Sequence, residues 1–414
     1  MNKSDSERIA GILQANGLES AQTIDDADLV VFNTCVVREN AENRFYGHLA
    51  DIKKNNGDTT VIVAGCLSQR EKRNLIENHG VDIAVGPQSI DMIEDLLSKK
   101  GSAFREETKY FPTDLPEKKE KPYFAWLPII TGCNNYCSYC AVPYVRGREK
   151  STPVEKIIDS AGKAVSEGTV ELYLLGQNVN SYGNDLYAEP RFAYLLNELA
   201  KNKDIERIRF ATSHPKDLND DVISAVAQNK NVCGHIHLPV QSGSTKILNK
   251  MGRGYDKDHY LKLIATIREK IKSVSITTDI MVGFPGETDE DFKETLDVVE
   301  KCAFDSAFTF LYSPRPGAKS YSLPKIDKKV TAARFKTLAA LVQEKSREAN
   351  ERQVGKTFSV LIEGKSKKNP SLYSGRTMCN RLVHFSSDKS VKEGEFVNIK
   401  INKSFSWYLT GEIS

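Results

Sequence analysis

Three cysteines carry the strongest chemical signal in the sequence. Cys133, Cys137 and Cys140 are spaced Cys-x3-Cys-x2-Cys. In a long chain such a set reads as metal chemistry before it reads as disulfides. A structural zinc ion wants four ligands, and no histidine stands between His79 and His214 to complete such a site. A cubic 4Fe-4S cluster held by three thiolates instead leaves one iron without a protein ligand. An open iron of that kind takes up the amino and carboxylate groups of S-adenosylmethionine. One electron from the cluster then splits the carbon–sulfur bond to give a 5′-deoxyadenosyl radical. Tyr139, directly before the third cysteine, is placed to pack against the adenine. The bland alternative is a zinc site or a coincidental set of buried thiols.

Two more cysteines stand at the ends of apolar runs. Cys35 follows Leu29–Thr34 and Cys66 follows Val61–Gly65, at the carboxyl ends of expected parallel strands, where open α/β sheets bind ligands. Two thiols converging there suggest a second cluster and call for a third ligand. Ser4-Asp-Ser-Glu7 reads as a capping box opening a helix through about Ala15, with no strand before it. Cys233, Cys302 and Cys379 show no such pattern and are read as structural.

The elements that must position these residues follow from hydrophobic periodicity. Residues 1–104 alternate helical stretches with short apolar runs, which predicts a small open parallel-sheet α/β domain. Residues 105–122 carry three prolines and many charges and read as a linker. From 123 to 354, strand-like runs beginning near Ala125, Val170, Arg207, Gly234, Val274 and Ala307 alternate with helix-sized segments, which predicts a full or partial (β/α) barrel. The cysteine loop then follows the barrel's first strand. Gly176, Gln177, Asn178, Ser213 and Gln241 fall at later strand ends and are candidates for cofactor binding. Alternation places His235, His237, Pro239 and Gln241 on one interior side. Residues 355–414 read as short strands of a small all-β barrel.

No stretch approaches the roughly 18 apolar residues of a membrane span, and no apolar core follows Met1, so a cytoplasmic protein is expected. The formal net charge is only +3. From Gly355 onward, however, ten Lys or Arg face five Asp or Glu, a basic excess suited to phosphate contact.

Five stretches make the sequence recognisable. Asn33–Asn43, Gly132–Cys140, Gly176–Asn180, Leu238–Ser244 and Tyr312–Gly317 resemble the radical S-adenosylmethionine (SAM) methylthiotransferases along nearly the whole chain. Arg38–Asn43 and Ser374–Thr377 with Asn380-Arg381 are most similar to the branch that acts on prenylated adenosine in tRNA. The resemblance implies an N-terminal domain with an auxiliary cluster, a radical SAM barrel and a C-terminal TRAM domain for RNA. It implies two 4Fe-4S clusters and SAM as cofactors. The activity implied is addition of a methylthio group to C2 of N6-dimethylallyladenosine at position 37 of tRNA. One SAM methylates a cluster-associated sulfur and a second supplies the radical. Expected partners are the tRNA anticodon stem-loop and an electron donor such as flavodoxin or ferredoxin, with the protein a monomer. No catalytic side chain is expected beyond the cluster ligands.

The family carries its first auxiliary cysteine in Gly-Cys-Gln-Met-Asn, and Met1-Asn2 coincides with the last two residues. The expectation is a chain that begins just after that ligand, through a mis-set start or as a degraded copy, and holds the auxiliary cluster poorly. Alternatives are a methylthiotransferase for threonylcarbamoyladenosine in tRNA, a truncated copy able only to cleave SAM and bind RNA, and a zinc-stabilised RNA-binding module without activity.

Overall fold

A computed structural model describes residues 1–36, 39–55, 57–387 and 390–414, the side chains of 39–41 excepted. Val37 and Arg38 of the Asn33–Asn43 stretch, the side chains of Glu39, Asn40 and Ala41, and Asp388 and Lys389 of the C-terminal charge count lie outside the described residues. The chain forms two compact units.

The smaller unit comprises Met1–Lys121, Trp126–Ser160 and Arg315–Tyr321. Its sheet is parallel, with Leu29–Thr34, Thr60–Gly65, Ile83–Val85 and Gly101–Ala103 in chain order. Thr60–Gly65 is central and buried on both faces, which explains its unbroken apolar run. Val61 and Val63 face one core with Phe45, Leu49 and Leu67. Ile62 and Ala64 face another with Ile9, Ile12 and Ile93. The period of two in the strand thus supplies two helical layers with one stripe each.

The first helix runs Asn2–Ala15, two residues ahead of the expected capping box, and no side chain caps it. Ser4 is instead buried inside it, hydrogen bonded to the Arg8 guanidinium. The Glu7 carboxylate accepts the Glu120 N–H at 3.0 Å. Ser4 is thus engaged by a residue one turn along the same helix and Glu7 by a tertiary contact, so the local signature misplaces the helix start.

The larger unit comprises Pro122–Ala125, Ala161–Pro314 and Ser322–Ser414. Glu171–Leu175 pairs in parallel with Arg207–Phe210, and a parallel bridge from Ile208 to Val232 leads on to the next strand. His235–His237, Ser275–Val282 and Ser306–Leu311 follow, again parallel and in order. This is a partial (β/α) barrel. The helices between strands start where the sequence supplies acceptors: Asn219, Ser244, Asp256 and Thr288 each accept a backbone N–H of the first turn. Asp327 does the same for the long helix Lys328–Glu351.

The C-terminal segment of the same unit is a closed five-stranded barrel around Val360, Ile362, Val383, Phe385, Ile399, Ile401 and Leu409. Closure leaves no sheet edge open. Two fully buried arginines of the strand Arg207–Phe210 hold it. Arg207 donates to the carbonyls of Arg376 and Ser359, both at 2.8 Å. Arg209 donates to the Glu171 carboxylate at 3.2 Å and to the Met378 carbonyl at 3.2 Å. No helix among the described residues is long and apolar enough to cross a membrane.

Candidate functional site

Cys133, Cys137 and Cys140 lie in the smaller unit, in a loop pinched at its base where Ile130–Thr131 pairs antiparallel with Lys150–Ser151. Gly132 turns the chain into the loop at φ +78°, and a Cβ there would stand 2.0 Å from the Arg148 carbonyl oxygen. Only glycine passes this point. The Cys133 N–H bonds the Gly147 carbonyl at 3.2 Å, and the Cys140 N–H bonds the Cys137 carbonyl at 3.0 Å. Two sulfurs already accept N–H groups: Cys140 Sγ from Val142 N at 3.4 Å, and Cys133 Sγ from Asn135 Nδ2 at 3.5 Å. Burial pushes the Cys133 thiol up to about 11, against the hydrogen bonds from Asn135. A metal entering here must displace a proton. Among the described residues, no three His, Cys, Asp or Glu side chains are gathered as a preformed metal site. The donor chemistry nevertheless fits a cluster: three soft sulfurs on one loop, with N–H donors to stabilise thiolate charge. Tyr139 is half-buried in the same loop.

The second pair of cysteines belongs to the same unit. Thr34 and Gly65 are register partners, so Cys35 and Cys66 are the next residues beyond adjacent strand ends. Cys66 opens the short helix Cys66–Glu71 and is buried. Burial raises its pKa, a hydrogen bond and charge from Arg146 oppose the rise, and the Cys35 thiol adds to it. Arg146 ends the helix Val142–Arg146 that follows the first cysteine loop. The segment from Val142 to Gly147 therefore touches both cysteine groups, through the Val142 and Gly147 backbones on one side and the Arg146 side chain on the other.

The remaining candidates lie in the larger unit. Gln177 Oε1, Asn178 Oδ1, Asn180 Nδ2, Ser213 Oγ and His214 Nε2 are buried with no hydrogen-bond partner among the described residues. They follow the ends of two adjacent strands, Glu171–Leu175 and Arg207–Phe210. An unsatisfied buried polar atom costs about 1–3 kcal/mol, and five such atoms stand together in sequence just past these two strand ends. The frame around them is satisfied: Asn178 Nδ2 donates to Asp217 at 2.6 Å and Asn180 Oδ1 accepts the His214 N–H at 3.0 Å. Burial, with Arg253 and Lys216 nearby, drives the His214 pKa down to about 2, so its imidazole is neutral. Gly176, Gln177, Asn178 and Ser213 were legible as strand-end residues. Asn180 as a member of the group was not, although it sits inside the stretch that signalled it.

The expected single interior face from His235 to Gln241 is cut short. The strand spans only His235–His237. Gln241 is buried beyond it with φ +67°, its N–H on the Asp279 carbonyl at 2.8 Å. The two histidines share the Thr277 hydroxyl, His235 Nε2 at 3.2 Å and His237 Nδ1 at 3.0 Å.

Residues 127–299 match the radical SAM superfamily, residues 1–86 the uncharacterized protein family UPF0004, and residues 351–414 the TRAM domain. A tRNA-2-methylthio-N(6)-dimethylallyladenosine synthase of Natranaerobius thermophilus is 44% identical over 427 residues, covering 100% of this chain and 94% of its own length. The protein of that name from Thermoanaerobacter pseudethanolicus is 43% identical, covering 100% and 90%. Among solved structures, the radical SAM methyltransferase TsrM of Kitasatospora setae matches with a TM-score of 0.55 at 14% identity, covering 76% of this chain and 66% of that one, a likeness of fold. A partial barrel with a three-cysteine loop and a closed C-terminal β-barrel makes this a radical SAM enzyme with a TRAM domain. The chain belongs to the family of tRNA-2-methylthio-N(6)-dimethylallyladenosine synthases.

Proposed function

We propose that this enzyme adds a methylthio group to C2 of N6-dimethylallyladenosine at position 37 of tRNA. Cys133, Cys137 and Cys140 hold the 4Fe-4S cluster that, when bound, supplies the electron for cleavage of SAM. The buried polar group at Gln177, Asn178, Asn180, Ser213 and His214 carries this reading, because its unpartnered atoms call for a ligand rich in donors and acceptors. Gly176 lets backbone approach that ligand and Gln241 adds a buried amide. In the three-cysteine loop, Tyr139 offers a ring for an adenine. The neutral His214 imidazole offers a hydrogen bond without repelling a cationic sulfonium. An aromatic C–H has no acidic proton, so the chain's task is to bind, orient and exclude water, with no general base.

Cys35 and Cys66 supply two of the ligands of a second cluster, with the Arg146 guanidinium against the Cys66 sulfur. The domains read as 1–104, 123–354 and 355–414 with a linker at 105–122. The protein works in the cytoplasm as a monomer, reduced by a flavodoxin or ferredoxin, on the anticodon stem-loop.

The test is nucleoside mass spectrometry of tRNA from a strain lacking this activity and carrying this chain. The expected gain falls on dimethylallyladenosine. A gain on threonylcarbamoyladenosine alone would overturn the assignment of substrate.

A further inference from the structure

A cavity of about 390 Å³ lies within the larger unit, lined by residues of the partial barrel and of the C-terminal domain. Its walls include His235, Ser275 and Ser306, the first residues of their strands. The unpartnered atoms at 177–180 and 213–214 instead follow the last residues of theirs. Other wall residues, Ala211, Thr212 and His237, stand at or just past the last residues of their strands, but none of Gln177, Asn178, Asn180, Ser213 and His214 lines the cavity, which sets it apart from that group.

Its chemistry is specific. His235 is 4% exposed, and its Nδ1 has no partner among the described residues. Burial and the nearby arginines keep this imidazole neutral, so the ring nitrogen can meet either a donor or an acceptor. Beside it, Asp305 and Arg381 form an ion pair, and Arg381 also donates to Asn350 Oδ1 at 2.9 Å. Phe308 from the barrel and Trp407 from the C-terminal domain line the same cavity while remaining 57% and 55% exposed. Large aromatic faces left open to solvent, above buried groups that read a polar edge, are what an unstacked nucleobase requires. The C-terminal domain's basic excess suits the phosphates on either side of such a base.

We propose that this cavity receives one unpaired base of the bound RNA, a different base from the one modified. Phe308 and Trp407 supply stacking surfaces, and His235 contacts the base edge. The proposal rests on RNA being the substrate.

The chain contains two tryptophans, so a Trp126→Phe variant leaves Trp407 as the sole indole. Full-length protein is titrated with an RNA hairpin bearing a seven-nucleotide loop, with a fully paired duplex of equal length, and with adenosine monophosphate. The expected result is quenching of Trp407 by the hairpin and not by the duplex. Trp407→Ala or Phe308→Ala should weaken hairpin binding by about 5- to 150-fold, as removal of an aromatic side chain that stacks on one base does. Both side chains are exposed, so the fold should survive their removal. Hairpin binding with no quenching and unchanged affinity in both variants would overturn the proposal alone. Absence of hairpin binding to the wild-type chain would overturn the RNA reading with it. Equal quenching by adenosine monophosphate and the hairpin would assign the cavity to a free nucleotide and overturn the RNA source.

Discussion

Arg146 and Asp5, 141 positions apart, meet at 2.7 Å between Nη2 and Oδ2, with both side chains about nine-tenths buried. The same guanidinium bonds Cys66. Removing one partner leaves a buried charge uncompensated, at a cost of about 3–5 kcal/mol. Arg146→Met should therefore destabilise the protein by about that much. The double variant with Asp5→Asn should lose less than the sum of the two single losses, as coupled neighbours do. Urea denaturation of the anaerobic, metal-free chain measures this. Additive losses would show that the ion pair contributes nothing.

Cys137→Ala should abolish formation of 5′-deoxyadenosine, since two thiolates cannot hold a cubic cluster with one open iron. Gly132→Ala should reduce iron at the same site without removing a ligand, because its Cβ would stand 2.0 Å from the Arg148 oxygen. Iron and sulfide per chain after anaerobic reconstitution, with product assayed by chromatography, decide both. Wild-type SAM cleavage by the Cys137 variant would exclude the radical assignment.

The basic surface is better tested by point changes than by truncation. Cutting after Gly355 would strip Arg207 and Arg209 of the carbonyls they donate to and leave two buried cations without those acceptors. Such a chain should lose barrel stability as well as RNA affinity. Lys400→Ala with Lys403→Ala, both exposed, should leave the fold intact. It should weaken tRNA binding and flatten its salt dependence, the slope falling by roughly 0.7–0.9 for each phosphate no longer neutralised. An unchanged slope would remove these lysines from the interface.

His214 makes stability depend on pH. Its folded pKa is about 2 against an ordinary 6.5, so below pH 6.5 the unfolded chain binds a proton that the folded chain refuses. Stability should be fully present above about pH 6.5 and fall as the pH drops towards 5. His235 contributes in the same direction. The urea midpoint measured at about pH 8 and about pH 5.5, on either side of the ordinary histidine value, should separate, and His214→Gln should narrow the gap. A gap unchanged by that substitution would show that His214 does not titrate as described.

The cysteine loops were legible because ligand spacing is local and strand-end placement follows from short apolar runs such as Val61–Ala64. The strand Gly101–Ala103 was not, being three residues with one apolar side chain. Asn180 read as an ordinary loop residue until burial showed its side-chain nitrogen unpartnered. Ser4 and Glu7 read as a cap, but the partner of Ser4 is Arg8, one turn on in the same helix, and that of Glu7 is the Glu120 backbone, which only tertiary packing brings near. Arg207 and Arg209 sit in a strand-like run where alternation gives no hint that both are buried, since their acceptors come from carbonyls more than 150 positions later.

The smaller unit is assembled from three separate stretches, the last being Arg315–Tyr321. On a ribosome adding roughly 5–20 residues per second, the first stretch emerges on the order of ten seconds or more before the last. The Ser320 N–H of that last stretch bonds the Ser138 carbonyl of the three-cysteine loop at 2.8 Å, so the loop gains this contact only after most of the barrel is synthesised, whereas the four strands of the sheet all lie within the first stretch. On the growing chain the sheet can therefore close first, and the three-cysteine loop is the last part of the smaller unit to gain its support.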